Sequence, residues 1–173
     1  MVKTSKNVAA MQREIDNTHL IQEQVDEDVI VDILDHNLDR DADDGKHAVI
    51  VMEKGAQDSL SYLNENYDAQ TWAGVDDGNT ASEDCRNDPL TSSVASQMVY
   101  DIANSIKAIH AAGLVWTDAK LKNFIVLNES EENDWNNDAP ASPNVKAIDL
   151  ESCTQPGKHP IKFTPSTCPP EFL

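Results

Sequence analysis

An α+β fold is predicted by two stretches with helical periodicity and by short strands that occur in pairs. Residues 8–24 and 91–112 carry apolar side chains near helical spacing, and Gly113 supplies a stop for the second helix. Residues 29–34 and 48–52 are rich in β-branched side chains and flank a polar turn, which is typical of a β-hairpin. The 173 residues are enough for one domain with a hydrophobic core.

The charge balance excludes two classes of partner. With a net charge of −18, the surface repels nucleic acids and anionic membranes. No run of 18 apolar residues exists, so we expect no membrane span, and the N-terminus lacks the apolar core of a signal peptide. The three cysteines, Cys85, Cys153 and Cys168, form no C-x-x-C pair, which favours a reduced, intracellular and cytoplasmic chain.

The remaining elements are short. Residues 58–63 predict a helix capped by Asp58 or Ser59. Two polar, acidic stretches, 64–90 and 128–144, are interpreted as inserts without a core of their own. Apolar segments at 124–127 and 145–148 predict two further strands.

A polar loop between two apolar strands organises the chain. Within it, Asp118, Lys120 and Asn123 follow the spacing D-x-K-x-x-N. In a phosphoryl-transfer loop, the carboxylate accepts the proton of an attacking hydroxyl, the lysine neutralises the moving phosphoryl group and the amide oxygen holds a metal ion. These six residues alone would also fit a surface turn, so the surrounding sequence has to decide between the two interpretations.

The order of the surrounding motifs supports the first interpretation. A helix carrying Glu14 precedes the hairpin, which ends in the sequence Met-Glu-Lys-Gly at 52–55. A long helix then leads to the D-x-K-x-x-N loop, followed by Asp149 at a strand end and a Pro-Pro-Glu sequence ending at Glu171. This order resembles a eukaryotic-type protein kinase domain from its helix αC through its activation segment.

The resemblance implies a partial, bilobal kinase-like fold, with part of the N-lobe in residues 1–55 and part of the C-lobe in 56–173. It implies ATP and Mg²⁺ as cofactors and a protein as substrate. Asp118 would be the catalytic base, and Lys120 would contact the γ-phosphate, as in serine/threonine kinases. Asn123 and Asp149 would hold the metal ions.

The resemblance also assigns the nucleotide contacts. Glu53 and Gly55 would bind adenine through a backbone carbonyl and N–H, with Met52 as the gatekeeper beside the base. Lys3 would pair with Glu14 to bind the phosphates, although the gap of 11 residues between them is short for that pairing by about one helical turn. Possible phosphorylation sites in the activation segment are Thr154, Thr164, Ser166 and Thr167.

Several positions depart from the family pattern. The H-R-D triplet reads Trp116-Thr117-Asp118, without the arginine that binds an activation-loop phosphate, so we expect activity that does not depend on such a phosphate. The D-F-G triplet reads Asp149-Leu150-Glu151. No G-x-G-x-x-G occurs and no later helices follow, so we expect a domain truncated at both ends. Such a fragment should expose the apolar face of helix 94–109 and be marginally stable.

Three other interpretations stay open. The first is a pseudokinase that binds nucleotide or acts as a scaffold, which the two altered triplets favour. The second is a small-molecule phosphotransferase of kinase-like fold, which Lys120 disfavours. The third is an acidic interaction protein in which the motifs arose by chance.

Overall fold

The computed structural model describes residues 1–25, 28–42, 45–66, 89–127 and 144–165. Over these ranges the fold is α+β, as predicted: three α-helices accompany three small antiparallel sheets. The predicted inserts lie mostly outside the described residues, as do Ser166, Thr167 and Glu171. None of the described helices has both the length and the apolar character needed to cross a membrane.

The first sheet has the order β1-β3-β2 and is covered by one helix. Its strands are β1 (Val2–Ser5), β2 (Ile33–Ala42) and β3 (Gly45–Met52), and the helix is α1 (Val8–Gln24). The Asn7 side chain caps α1 by accepting from the Ala10 N–H at 3.1 Å. Apolar residues of the helix and the sheet pack with Val31 and with Ile125 from outside the sheet, and the resulting core consists of Met11, Ile15, Val31, Ala48, Ile50, Met52 and Ile125.

The predicted hairpin exists, but its first strand was placed too early. Strand β2 begins at Ile33 and runs to Ala42, through residues that the sequence assigned to the turn. Ile30, in the predicted strand, forms only an isolated bridge with Ala147. Because β2 is an edge strand, its polar side chains Asp35, His36, Asn37 and Asp39 are exposed to water while its backbone pairs with β3. Tertiary pairing therefore overrides local composition here.

The second sheet has the order β4-β6-β7, formed by β4 (Gly55–Asp58), β6 (Phe124–Leu127) and β7 (Val145–Ala147). Helix α2 (Ser59–Asn66) follows β4 and is capped by Asp58, whose Oδ1 accepts from the Ser61 N–H at 3.0 Å. The cap was predicted correctly. However, residues 64–66, which were assigned to the first insert, belong to α2.

Helix α3 (Pro89–Ala111) leads into the polar loop. Gly113 ends it with a left-handed φ of +73°, a conformation that glycine adopts without strain. Val94, Met98 and Ile109 on its apolar stripe are at most 8% exposed, because the stripe packs into a second core that includes Trp116, Phe124 and Leu150. The expected exposure of this face was therefore wrong, although Val99 remains 66% exposed.

The polar loop lies between β5 (Val115–Trp116) and β6, so the predicted order of strand, loop and strand is confirmed. Strand β5 pairs with β8 (Cys153–Thr154), which follows the Asp149 triplet. The Trp116 and Phe124 rings, 5.1 Å apart in an edge-on contact, pack the loop's two flanking strands together. The loop and the triplet are thus held side by side, although about 30 residues separate them in sequence.

Candidate functional site

The D-x-K-x-x-N loop is held by its own side chains. The Asp118 side chain is 1% exposed, and its Oδ2 accepts from Lys120 Nζ at 2.8 Å. Asn123 Nδ2 donates to the Asp118 carbonyl at 2.9 Å, which closes the loop on itself. Burial disfavours the charge on Asp118, but hydrogen bonds from Lys120 and Thr164 outweigh it and lower the pKa of Asp118. The carboxylate is therefore ionised at neutral pH.

A hydroxyl already lies on this carboxylate. Thr164 Oγ1 donates to Asp118 Oδ1 at 2.6 Å and accepts from Lys120 Nζ at 3.1 Å. The predicted base is thus oriented to accept a proton from a hydroxyl group, with a lysine beside it. A phosphate on Thr164 would place two negative groups together, which makes this threonine a poor phosphorylation site.

Lys3 and Glu14 meet despite their short separation in sequence. Lys3 Nζ donates to Glu14 Oε2 and to Asp149 Oδ1, both at 2.6 Å. The tight turn between β1 and α1 makes this possible, because the capped helix begins at Val8 and folds back along the strand. A strand lysine, a helix glutamate and the predicted metal ligand therefore form one cluster.

The charges in this cluster depend on one another. Burial disfavours the Lys3 ammonium, but attraction to Glu14 and the hydrogen bond to Asp149 raise the pKa of Lys3. Burial works against the charge on Asp149 as well, yet the hydrogen bond from Lys3 lowers the pKa of Asp149. Burial raises the pKa of Glu14, and Lys3 counteracts part of this shift. Lys3 is the cation that makes two neighbouring carboxylates tolerable.

Asp149 adopts a left-handed backbone conformation, with φ of 62° and ψ of 48°. It is the one residue other than glycine with positive φ among those described. Aspartate and asparagine tolerate this region better than most residues, so either can occupy the position. Asn17 of α1 donates to the Leu150 carbonyl at 2.8 Å and so ties the helix to the turn that follows Asp149.

Three carboxylates at this turn could hold a cation. Oxygens of Glu14, Asp149 and Glu151 lie within 4.8 Å of one another, and Mg²⁺ prefers such oxygen ligands. The predicted co-ligand Asn123 is joined to the residue before Asp149, because its carbonyl accepts from the Ile148 N–H at 2.8 Å. An asparagine binds a metal through its amide oxygen, Oδ1, and the hydrogen bond from Asn123 Nδ2 to the Asp118 carbonyl leaves that atom available. Asp149, one of the two predicted metal ligands, therefore belongs to an acidic cluster that could hold a cation.

A second lysine lies on the same carboxylates. Lys162 Nζ lies 2.7 Å from Glu151 Oε1 and 3.2 Å from Asp149 Oδ2. Burial opposes its charge, but the hydrogen bond to Glu151 and the charge of Asp149 raise the pKa of Lys162. Both oxygens of Asp149 are thus paired with ammonium groups, and the extra charge that Glu151 brings in place of glycine is neutralised.

The predicted nucleotide contacts lie where β3 passes into β4. Met52 is 5% exposed in the first core. The Glu53 N–H donates to the Asp32 carbonyl at 3.0 Å, so a base could use the Glu53 carbonyl but not its N–H. Gly55 begins β4 and pairs with Leu127. These three residues lie within four consecutive positions of the chain, in the connection from β3 to β4.

Gly55 has a packing role of its own. A Cβ at this position would lie 2.7 Å from Ile125 Cδ1 and 3.1 Å from the Val126 carbonyl. We expect Gly55→Ala to lower the free energy of unfolding by about 1–3 kcal/mol through overpacking. Urea denaturation measures this loss, with Ala56→Ser, at the exposed next position, as the control. An unchanged midpoint in Gly55→Ala would show that β4 can move away.

The thiol of Cys153 takes no part in this chemistry. It is a free, buried cysteine. Burial and the nearby charge of Asp149 raise its pKa to about 12, so the thiol stays protonated. Cys85 and Cys168 lie outside the described residues.

Sequence reasoning missed two lysines. Lys146 is 2% exposed in β7 and pairs with Glu53, and a charged residue in the apolar run Val145–Ile148 was the signal for it. Lys162 had no comparable signal, because its neighbours in the sequence are ordinary surface residues and no motif links it to Glu151 and Asp149.

Two comparisons with known proteins were made. A scan against models of protein families gave no match, and a search of curated proteins gave none.

Proposed function

We propose that this chain is a protein-kinase-like phosphotransferase that transfers the γ-phosphoryl group of Mg-ATP to a serine or threonine hydroxyl of a protein. The observation that carries the proposal is that Lys3 donates a hydrogen bond to Asp149, which is 146 residues away in the sequence. This contact lies beside the loop in which Asp118, Lys120 and Asn123 are hydrogen-bonded to one another. The kinase-like, two-lobed architecture belongs to the same proposal.

Each side chain then has a role that its contacts support. Asp118 accepts the proton of the substrate hydroxyl, and Lys120 places a positive charge where the phosphoryl group moves. Lys3 binds the phosphates, and Glu14 orients it at 2.6 Å. Asp149 and Asn123 would hold Mg²⁺, which when bound neutralises charge on the phosphates.

Adenine would be bound at the connection between β3 and β4. The Glu53 carbonyl accepts from the amino group of the base, and the Gly55 N–H is the second backbone group in the proposal. Met52 would lie beside the ring as the gatekeeper. These contacts hold the base while the charged cluster acts on the phosphates.

A pseudokinase is the second candidate, and one specific observation favours it. Both oxygens of Asp149 contact lysine ammonium groups, so a metal ion at this carboxylate would compete with, or exchange for, Lys3 and Lys162. If that exchange is unfavourable, the chain binds nucleotide weakly and transfers nothing.

Labelled phosphate transfer from γ-labelled ATP separates these candidates. The proposal expects phosphoserine or phosphothreonine on a generic protein substrate and no product with choline or aminoglycosides. Product on the small molecules alone would favour a small-molecule phosphotransferase. Nucleotide binding without any transfer would favour the pseudokinase.

The proposed activation segment is held, within the described residues up to 165, by contacts of Thr117 and Lys162. Thr117 Oγ1 lies 2.9 Å from the Ser152 carbonyl and 2.7 Å from the Lys162 carbonyl, and it can donate to either. Because these bonds and the Lys162 ion pairs order the segment, we expect phosphatase treatment to leave transfer activity unchanged. Assays before and after treatment test this, with complete dephosphorylation checked by mass spectrometry. A loss of activity that follows removal of phosphate would contradict the prediction.

A further inference from the structure

Lys146 is a buried charge to which the proposed mechanism assigns no role. It lies in β7, three residues before Asp149, and is 2% exposed. Its Nζ lies 2.9 Å from Glu53 Oε2 and 2.6 Å from Asp28 Oδ1. Removing an ammonium group from water costs on the order of several kcal/mol, and an ion pair has to offset this cost. Such a residue therefore needs its carboxylate partners.

Of the two partners, Glu53 is the more constrained. The Asp28 side chain is 71% exposed, so water screens its attraction strongly, whereas the Glu53 side chain is 32% exposed. Burial opposes the charge on Lys146, but the hydrogen bonds to Asp28 and Glu53 outweigh it and raise the pKa of Lys146. The lysine therefore stays charged at neutral pH.

Two bonds fix Glu53 from different directions. Its side chain accepts from Lys146, and its backbone N–H donates to the Asp32 carbonyl at 3.0 Å. The two bonds hold the Glu53 nitrogen and the Glu53 side chain, and together they place the Cα from which the Glu53 carbonyl projects. That carbonyl is the group that the proposed function assigns to the amino group of adenine.

We propose that Lys146 is a positioning residue that, through Glu53, aims the backbone carbonyl of the β3–β4 connection at the base of a bound nucleotide. The inference rests on the proposed function and deepens it. A fixed acceptor favours bases with an amino group at this edge, such as adenine, over guanine, which presents a carbonyl there. Lys146 itself touches no base; it acts through Glu53.

The fold should persist without the lysine. Two backbone hydrogen bonds attach strand β7 to residues 29–31. The Ala147 N–H donates to the Val29 carbonyl at 3.0 Å, and the Val31 N–H donates to the Ala147 carbonyl at 3.1 Å. Methionine has nearly the volume of lysine and can fill the same space. Glu53, once released, is exposed enough to hydrate.

The experiment compares ligands that contain different parts of the nucleotide. Adenosine carries the base, inorganic tripolyphosphate carries the phosphates, and Mg-ADP and Mg-GDP differ in the base alone. Each is titrated calorimetrically into the wild type, Lys146→Met and Lys146→Arg, with Lys158→Met as the exposed control. Glu53→Gln tests the same link from its other end if Lys146→Met does not fold.

In Lys146→Met we expect adenosine and Mg-ADP to bind about tenfold more weakly, the loss of one well-placed hydrogen bond. The affinity for tripolyphosphate should stay the same, and the preference for Mg-ADP over Mg-GDP should shrink. Lys146→Arg should recover most of the adenosine affinity and most of the preference for Mg-ADP. Equal weakening for every ligand would assign Lys146 a merely structural role and overturn the inference, as would unchanged adenosine affinity. Failure of the wild type to bind any nucleotide would instead overturn the proposed function, and the inference with it.

Discussion

Replacing Asp118 with asparagine is expected to lower the rate of phosphoryl transfer by about 10²–10⁴-fold. The amide has nearly the shape of the carboxylate but cannot accept the proton of the attacking hydroxyl. Because Asp118 contacts Lys120 and Thr164 and has no assigned contact to the nucleotide, the KM for ATP should change little. Steady-state kinetics with varied ATP separates kcat from KM.

The pH profile gives an independent check on the same residue. A base must be deprotonated to act, and the pKa of Asp118 is lowered, so activity should fall only below the ordinary aspartate value of about 3.9. Lys122→Gln, at an exposed position in the same loop, is the control. Near-normal kcat in Asp118→Asn would remove Asp118 from the mechanism, and loss of activity near neutral pH would indicate another base.

Replacing Lys3 with methionine is expected to abolish nucleotide binding and also to destabilise the fold. The change leaves Glu14, with a side chain 3% exposed, without its cation, and it removes one of two cations from Asp149. Breaking a buried ion pair costs about 3–5 kcal/mol, and the 29% exposure of the Lys3 side chain favours the lower end of that range. Chemical denaturation measures the loss of stability.

A double variant separates stability from function at this site. Combining Lys3→Met with Glu14→Gln removes the uncompensated charge, so most of the stability should return. Nucleotide binding should not return, because the phosphates still lack the lysine. Recovery of binding in the double variant would mean that Lys3 acts only by keeping the fold intact.

Periodicity predicted the helices well. Helix α1 begins and ends at the predicted residues. Helix α3 begins at Pro89, two residues before the predicted start, and ends at Ala111, one residue before the predicted end. Gly113 has the left-handed backbone that is typical of a residue that ends a helix. These elements depend on local apolar spacing, which the sequence displays directly. The boundaries of β2 were not predictable in the same way, because this polar edge strand owes its structure to pairing with β3.

The contacts of the candidate site were likewise predictable where the residues are close in sequence, and were missed where only folding brings them together. Asp118, Lys120 and Asn123 are close in sequence, and their mutual hydrogen bonds follow from one short loop. Lys146 and Lys162 contact carboxylates that only the folded chain brings near them. A single sequence does not give the distance between a lysine and a carboxylate in the folded chain. In the sequence, Lys162 cannot be told apart from an ordinary surface lysine.

Binding of Mg-ADP, measured by calorimetry, tests the central claim that Asp149 holds the metal of a nucleotide site. The titrations use the wild type and Asp149→Asn, which keeps a residue tolerant of left-handed backbone but removes the charge, with exposed Asp16→Asn as the control. We predict binding by the wild type and the control, and at least tenfold weaker binding by Asp149→Asn, roughly the loss of one charged ligand. Equal binding by all three, or no binding by a folded wild type, would contradict the account.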